Sequence, residues 1–314
     1  MRVIFWGTPD FAVPSLRALL GEMHDVVAVV TQPDRPAGRG RAVRASPIKQ
    51  IALQEVIPVL QPARARAPDF AGELADYPAD INVVVAYGQI LPQAILDLWP
   101  YGSINVHASL LPELRGAAPI NHAIDRGYAK TGVTIMRMVE AMDAGPVLLQ
   151  VEEPIGPDET ASDLWTRLSE IGAEALIEVL AMIEADDVVP IAQDDERATY
   201  APRIGRVDAR IDWARSADEV GRRMRAMDAV PGAWTLHRDA ELKLFRPLVA
   251  EDRAHDAEPG TVLDVEPHNA AEGMLVACGA GAVWVREVQA AGKRRMTTVE
   301  WLRGRGAEPG ELLG

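Results

Sequence analysis

Residues 2–30 read RVIFWGTPDFAVPSLRALLGEMHDVVAVV and contain a strand–helix–strand pattern. The apolar run at 3–6 ends at the turn residues Gly7 and Pro9, and residues 11–20 carry a helical pattern. The run at 26–30 is apolar at every position, which is typical of a parallel strand buried on both faces. This stretch therefore predicts one βαβ unit of an α/β fold.

The alternation of strands and helices continues to about residue 190. Apolar spacing predicts further strands at 58–60, 81–86, 102–106 and, at a sheet edge, 133–138, with helices at 48–54 and 160–183. Such alternation favours a doubly wound, mostly parallel sheet with helices on both faces, which is a Rossmann-like architecture. The first turn has Pro9 and Ala12 where a dinucleotide-binding turn has glycines, so NAD binding is not expected.

A different pattern begins beyond residue 206. The capping box Ser216–Glu219 starts a helix, and short strands separated by turn residues follow at 242–245, 260–263, 273–277 and 282–285. Short strands at regular spacing are typical of a small antiparallel barrel. The sequence therefore predicts an α/β domain at 1–190, a linker at 191–206 and an OB-like β-barrel at 207–314.

Composition and charge restrict the class of protein. Of the 314 residues 48% are hydrophobic and 25% charged, which is ordinary for a globular protein, and the net charge of −14 gives no general affinity for nucleic acid. The single cysteine, Cys278, excludes an internal disulfide. No signal peptide or membrane span is expected from the short apolar runs, and a cytoplasmic location is predicted.

The segment 105–119 reads NVHASLLPELRGAAP and begins at the end of a predicted strand, where open α/β sheets place ligands. Asn105 and His107 are two residues apart, so an extended chain points both side chains to one side. An amide donor beside an imidazole suits stabilisation of an oxyanion together with proton transfer. On spacing alone, a structural histidine beside a turn asparagine explains the pair equally well.

This segment resembles the signature of enzymes that use 10-formyltetrahydrofolate, through the pattern Asn105-x-His107-x-Ser-Leu-Leu-Pro and the Arg115-Gly116 that follows. The loop 138–145, MVEAMDAG, matches a second block of that family and supplies Asp143. Two more blocks, 31–49 and 200–213, narrow the resemblance to the methionyl-tRNA formyltransferases. The resemblance covers nearly the whole chain in the same order.

The resemblance implies that 10-formyltetrahydrofolate is the formyl donor and that the acceptor is the α-amino group of methionine on initiator tRNA. It implies catalytic roles for Asn105, His107 and Asp143. The first two are candidate oxyanion donors, and Asp143 either orients His107 or accepts the amine proton through water. Folate contacts are expected at Tyr87, Gly88, Ile90, Ser109, Leu110, Leu111 and Pro112. No metal is expected, because the histidines and the one cysteine have no ligand spacing.

A basic segment lies inside the acidic first part of the chain. Residues 31–66 contain seven Lys and Arg against two Asp and Glu, a net charge of +5, whereas residues 1–205 together carry −12. Arginine and lysine bind nucleic acid chiefly through phosphates, so Arg35, Arg39 and Arg41 are predicted to bind tRNA. On charge alone, a solvated arginine-rich loop is an equal interpretation.

Two departures from the family pattern concern the residues that flank the folate signature and the charge of the second domain. Glu113 and Leu114 stand where the family often has a basic residue and an aromatic, and residues 206–314 carry 16 Lys and Arg against 18 Asp and Glu. The alternatives are a formyltransferase that acts on glycinamide ribonucleotide or an amino sugar, and a nucleic-acid-binding protein that lacks catalysis. The 31–40 loop and the second domain disfavour the former, and the intact Asn105, His107 and Asp143 disfavour the latter.

Overall fold

The computed structural model describes residues 1–37, 42–250, 252–266, 268, 273–304 and 306–314. The chain divides into two compact units. The first comprises Met1–Pro119, Lys130–Pro154 and Trp165–Pro202, and the second Ile120–Ala129, Ile155–Leu164 and Arg203–Gly314. The domain boundaries at 190 and 207 stay predictions.

The first unit is built on a sheet of seven strands in the order β5-β2-β1-β6-β7-β8-β9. The strands are β1 (Arg2–Gly7), β2 (Asp25–Val30), β5 (Val59–Leu60), β6 (Ile81–Val85), β7 (Ser103–His107), β8 (Lys130–Arg137) and β9 (Val147–Pro154), and β3 (Arg35–Ala37) pairs with β4 (Ala42–Arg44) separately. The first five in this order are parallel, and β8 and β9 are antiparallel to their neighbours. The predicted mostly parallel fold is confirmed.

The edge position predicted for the strand at 133–138 is wrong, because β9 pairs along β8 and forms the edge itself. The sequence of β9 shows no long apolar run, since its carboxyl half alternates between half-buried and exposed residues. Such a weak pattern explains why the prediction omitted this strand.

Among the described residues, six α-helices fall between residues 13 and 184. They are α1 (Val13–Gly21), α2 (Pro47–Gln54), α3 (Phe70–Ala75), α4 (Gln93–Leu96), α5 (Pro119–Asp125) and α6 (Ala161–Glu184). The strand order reverses between β1 and β6, and such a switch point opens a crevice at the carboxyl ends of the strands. There the Thr8 hydroxyl donates to the Tyr87 carbonyl at 3.3 Å, which joins the two strand ends.

The second unit contains an antiparallel sheet in the order β10-β11-β14-β13-β12, with β15 on β14, as predicted for this part of the chain. Its elements are β10 (Trp234–His237), β11 (Ala240–Ala250), β12 (Val262–Val265), β13 (Met274–Ala277), β14 (Ala282–Ala290), β15 (Met296–Thr297), α7 (Ala217–Ala226) and α8 (Thr298–Arg303). The sheet has the form of a half-barrel. The capping box at Ser216 and Glu219 is present at α7, as predicted.

Within the described ranges, no helix is both long and apolar enough to cross a lipid bilayer.

Candidate active site

Two of the predicted catalytic residues lie on one face of β7. Asn105 and His107 are alternate residues of the strand, so their side chains point to the same side. Asn105 pairs in register with Val84 of β6 and Met136 of β8, which fixes the backbone from both sides. Its side chain is half-buried and makes no hydrogen bond within the described part of the chain. The amide is therefore available to donate to a bound molecule.

The imidazole of His107 is buried between a backbone carbonyl and a carboxylate. Its Nε2 lies 3.1 Å from the carbonyl oxygen of Leu114, and because a carbonyl can only accept, Nε2 carries the proton. Its Nδ1 lies 3.8 Å from Oδ2 of Asp143, beyond direct hydrogen-bond distance. Nδ1 therefore faces a carboxylate, which would stabilise a proton accepted there by a neutral ring.

Asp143 comes from the loop between β8 and β9, and the backbone of this loop is tightly constrained. Its Oδ2 accepts the backbone N–H of Gly116 at 2.8 Å, and its φ of 51° lies in the left-handed region that L-residues seldom occupy. A Cβ at Gly145 would lie 1.8 Å from the carbonyl oxygen of Arg137. Only glycine fits there, which gives a physical reason for the Asp-Ala-Gly block.

Gln193 and Arg115 connect this loop to the loop after β7, and neither was predicted as a site residue. Gln193 Nε2 donates to the carbonyls of Asp143 at 2.9 Å and Gly145 at 2.7 Å. Arg115, which is 4% exposed, donates to Gln193 Oε1 through Nε at 3.1 Å and Nη2 at 2.8 Å. The structure therefore brings Asp143, His107 and both loops into one hydrogen-bonded arrangement.

The predicted folate contact Ser109 uses its hydroxyl within its own loop. Ser109 Oγ donates to the carbonyl of Glu113 at 2.6 Å, and Thr134 Oγ1 donates to the carbonyl of Ser109 at 2.6 Å. Thr134 also accepts the backbone N–H of Leu111 at 3.1 Å. These bonds shape the turn that follows His107.

The apolar residues of this loop differ in exposure. Leu111 is 4% exposed, whereas Leu110 and Pro112 are half-buried. Leu110 packs against Gly132 of β8, where an added Cβ would lie 2.6 Å from its Cδ2. Leu110 therefore has a structural role in the first unit, besides any contact that it makes with a ligand.

The predicted folate contacts after β6 have three different environments. The ring of Tyr87 is 2% exposed and packs edge-to-face on Trp6 at 5.1 Å between centroids, and its burial raises the pKa of the hydroxyl to about 12. Gly88 has a φ of 85° and open space around it, and Ile90 is 54% exposed. The crevice can therefore present the Ile90 side chain and the Gly88 backbone to a ligand, whereas the Tyr87 ring belongs to the core.

The basic loop is anchored at its base by a network of polar side chains. Lys49 Nζ donates to Asp34 Oδ2 at 2.6 Å and to Gln61 Oε1 at 2.7 Å, and Gln61 Nε2 donates to Asp34 Oδ1 at 2.8 Å. The hydrogen bond from Lys49 is the main cause that lowers the pKa of the Asp34 carboxyl. Asp34 thus compensates the charge of Lys49. Lys49 therefore adds little to the positive charge that a phosphate would meet at this segment.

Of the three predicted tRNA-binding arginines, Arg35 is exposed and donates to Gln32 Oε1 at 3.3 Å. Arg39 and Arg41 lie outside the described residues.

Several arginines of the second unit are engaged with carboxylates. These ion pairs are Arg206–Glu241, Arg222–Asp218, Arg223–Asp125, and Arg295 with both Asp228 and Glu287. Arg206 and Arg210 also stack on the Trp234 ring at 4.8 and 5.6 Å. Because much of this charge is compensated, the basic segment at 31–66 is the stronger candidate for binding phosphates.

The described residues contain no group of three or more histidine, cysteine, aspartate or glutamate side chains placed to hold a metal ion.

Comparisons with protein families cover both units. Residues 1–180 match the family described as formyl transferase, and residues 203–306 match the formyl transferase C-terminal domain. A methionyl-tRNA formyltransferase from Thiobacillus denitrificans is 47% identical over 314 residues, which is the full length of both chains.

Solved structures share the fold at low sequence identity. HypX from Aquifex aeolicus in complex with tetrahydrofolic acid has a TM-score of 0.67 at 20% identity, and the match covers 96% of this chain and 47% of that one. An N-formyltransferase from Helicobacter canadensis in complex with folinic acid and dTDP-3-aminofucose has a TM-score of 0.67 at 18% identity, covering 92% and 98%. By its full-length relatives and by both family matches, this chain belongs to the formyltransferase family and, within it, to the methionyl-tRNA formyltransferases.

Proposed function

We propose that this chain transfers the formyl group of 10-formyltetrahydrofolate to the α-amino group of methionine esterified to initiator tRNA, a reaction of translation initiation in the cytoplasm. One observation carries the chemistry: His107 Nδ1 lies 3.8 Å from the Asp143 carboxylate, on the strand face that also presents the amide of Asn105, for which the described residues offer no hydrogen-bond partner. The acceptor is proposed from the full-length relatives, which are methionyl-tRNA formyltransferases.

His107 is proposed to carry the proton. The attacking amine must be neutral, and an α-amino group with a pKa near 8 supplies a usable neutral fraction at pH 7. As nitrogen bonds to the formyl carbon, His107 Nδ1 accepts the amine proton, and the Asp143 carboxylate stabilises the imidazolium. The bond from the formyl carbon to N10 of the folate then breaks, and the same proton passes to N10.

Asn105 is proposed to stabilise the tetrahedral intermediate. The attack places negative charge on the formyl oxygen, and a half-buried amide without another partner is a suitable donor to it. The His107 Nε2 proton is already donated to Leu114, so only the Nδ1 side of the ring faces the reacting atoms in this arrangement.

The folate is proposed to lie against Gly88, Ile90 and the loop at 109–112. The side chain of Ile90 is 54% exposed at the carboxyl end of β6, where a bound pterin would cover it. Burial of an isoleucine contributes about 1.5–3 kcal/mol, so Ile90→Asp is expected to raise the KM for the formyl donor roughly tenfold or more. The KM for charged tRNA should change little.

The steady-state KM for each substrate measures this effect. Leu53→Asp is the matched control, because Leu53 is a comparably exposed apolar residue on α2. A donor KM of Ile90→Asp that equals the control value would place the folate elsewhere.

A panel of acceptors tests the proposed function. The protein is mixed with a radiolabelled formyl donor and either charged initiator tRNA, glycinamide ribonucleotide or an amino sugar. Label is expected on the methionine of the charged tRNA. Label on one of the other acceptors would assign the alternative formyltransferase activity, and no label on any acceptor would indicate a binding protein without catalysis.

A further inference from the structure

We propose that Gln193 is a positioning residue for formyl transfer, which holds the Asp143 loop so that its carboxylate stays beside His107. The proposal rests on the proposed function. It concerns a residue in the segment 191–206, for which the sequence predicts a linker.

The side-chain amide of Gln193 donates hydrogen bonds to the Asp143 loop on either side of Ala144. Its Nε2 donates to the carbonyls of Asp143 at 2.9 Å and Gly145 at 2.7 Å, which uses both of its hydrogens. These two carbonyls flank Ala144, so the contact fixes the main chain at the point where Asp143 adopts its φ of 51°. The carboxylate itself is held separately, by Gly116 N–H.

The orientation of the Gln193 amide is determined by Arg115. A guanidinium only donates, so the two hydrogen bonds from Arg115 require the oxygen of the amide on that side. Nε2 must then face the loop. Arg115 is 4% exposed and Gln193 is half-buried, and a flipped amide would place its oxygen opposite the two carbonyls and its NH₂ group opposite the guanidinium.

The same segment also holds the other partner of the His107 ring. Thr199 Oγ1 accepts the backbone N–H of Leu114 at 2.9 Å, and the carbonyl of Leu114 is the group that contacts His107 Nε2. Ile191 exchanges two backbone hydrogen bonds with Val147, just beyond the Asp143 loop. Residues 191–199 therefore fix the groups on both sides of the imidazole, and Gln193 acts on the Asp143 side.

Two substitutions change the hydrogen bonds of Gln193 and keep the size of its side chain nearly the same. Gln193→Met keeps the length of the side chain and removes both donors. Gln193→Glu keeps an oxygen for Arg115 but turns a second oxygen toward the carbonyls of Asp143 and Gly145, which repels them. Both changes should displace Asp143, and a displacement of about 1 Å in an active site can cost roughly 100-fold in rate.

The kcat of formyl transfer is expected to fall roughly 100-fold in both variants, with the KM of each substrate within about threefold of the wild type. Gln93→Met is the matched control, because Gln93 is exposed on α4, outside the basic segment, and the chemical change is the same as in Gln193→Met. Thermal unfolding establishes that each variant is folded. If Gln193→Met does not fold, Gln193→Glu, which retains the contact to Arg115, is measured in its place.

A double-mutant cycle with Asp143→Asn distinguishes positioning from a general structural role. If Gln193 acts through Asp143, adding Gln193→Met or Gln193→Glu to Asp143→Asn should lower kcat little further. Losses that multiply, or a kcat near the wild-type value in a folded variant, would overturn the proposal. Activity of the wild-type protein in the same assay tests the proposed function separately.

A crystal structure of the Gln193 variant gives a readout that needs no activity. The distance from His107 Nδ1 to the Asp143 carboxylate should be longer than in the wild type. An unchanged distance contradicts the positioning role, whatever reaction the protein catalyses.

Discussion

His107→Ala is expected to lower the kcat of formyl transfer by about 10²–10⁴-fold, because it removes the group proposed to accept the amine proton. Asn105→Ala should lower kcat by roughly 10²–10³-fold, the usual effect of deleting one oxyanion donor. Asp143→Ala should also cause a loss of orders of magnitude, since the imidazolium then lacks its carboxylate. Transfer of label from the formyl donor to charged initiator tRNA, at saturating concentrations of both substrates, measures each value.

The fold should survive these changes. In the described structure His107 makes one side-chain hydrogen bond, to the carbonyl of Leu114, and a single bond of this kind contributes about 0.5–1.5 kcal/mol to stability. His268→Ala is a suitable control, because that histidine is exposed. A folded His107→Ala protein that is free of contaminating enzyme and turns over at nearly the wild-type rate would remove His107 from the mechanism.

Arg39→Ala is expected to weaken the use of tRNA by roughly 1–3 kcal/mol if the guanidinium reads a base edge, and by less if it contacts only phosphate. We propose this role from the sequence, where Arg39 lies between two glycines in a segment with a net charge of +5. That segment follows β2, and the carboxyl ends of the parallel strands meet at one edge of the sheet. Guanidinium groups suit this role because they bind phosphates in a bidentate manner.

The kcat/KM for charged initiator tRNA, measured over a range of salt concentrations, separates the two cases. Loss of one phosphate contact should reduce the salt dependence by about one unit of slope, while the KM for folate stays near normal. Arg41→Ala and Arg35→Ala are measured alongside, with Arg17→Ala as the control, because Arg17 is exposed on α1 and outside the basic segment. If the three loop variants match the Arg17 control in both quantities, the loop is only a solvated surface.

The fold was largely predictable because several of its central strands are apolar runs. β1, β2 and β6 are apolar at most positions and buried along most of their length, and this leaves a clear pattern in the sequence. β9 was missed because an edge strand with one solvated face needs no continuous apolar run. β10 and β15 were also missed, since β15 is only two residues long and only one of the four residues of β10 is fully buried.

The candidate site was predictable only where its residues stand close together in the sequence. Asn105 and His107 are neighbours on one strand, and Asp143 was found through the resemblance to a family. Gln193 and Arg115 connect two loops by hydrogen bonds. No spacing in the sequence indicates which main-chain carbonyl a glutamine will contact.

For Lys49 and Tyr87, the sequence pattern indicated a position in a binding segment or crevice, whereas the structure shows that their side chains make other contacts. Charge counting places Lys49 in a phosphate-binding segment, yet from α2 it binds Asp34, which follows β2. Tyr87 follows the strand that ends at the crevice, yet its ring turns into the core. In both cases the partner is distant enough in the sequence that only the folded chain reveals the contact.

The central claim is that formyl transfer takes place at Asn105, His107 and Asp143. A crystal structure with a stable formyl-folate, such as folinic acid, tests this claim most directly. We expect the folate to lie against Ile90 and Gly88, with its formyl oxygen about 2.7–3.2 Å from the Asn105 amide nitrogen and His107 Nδ1 facing the formyl carbon. A folate bound at another edge of the sheet, or one whose formyl group lies out of reach of both Asn105 and His107, would contradict the account.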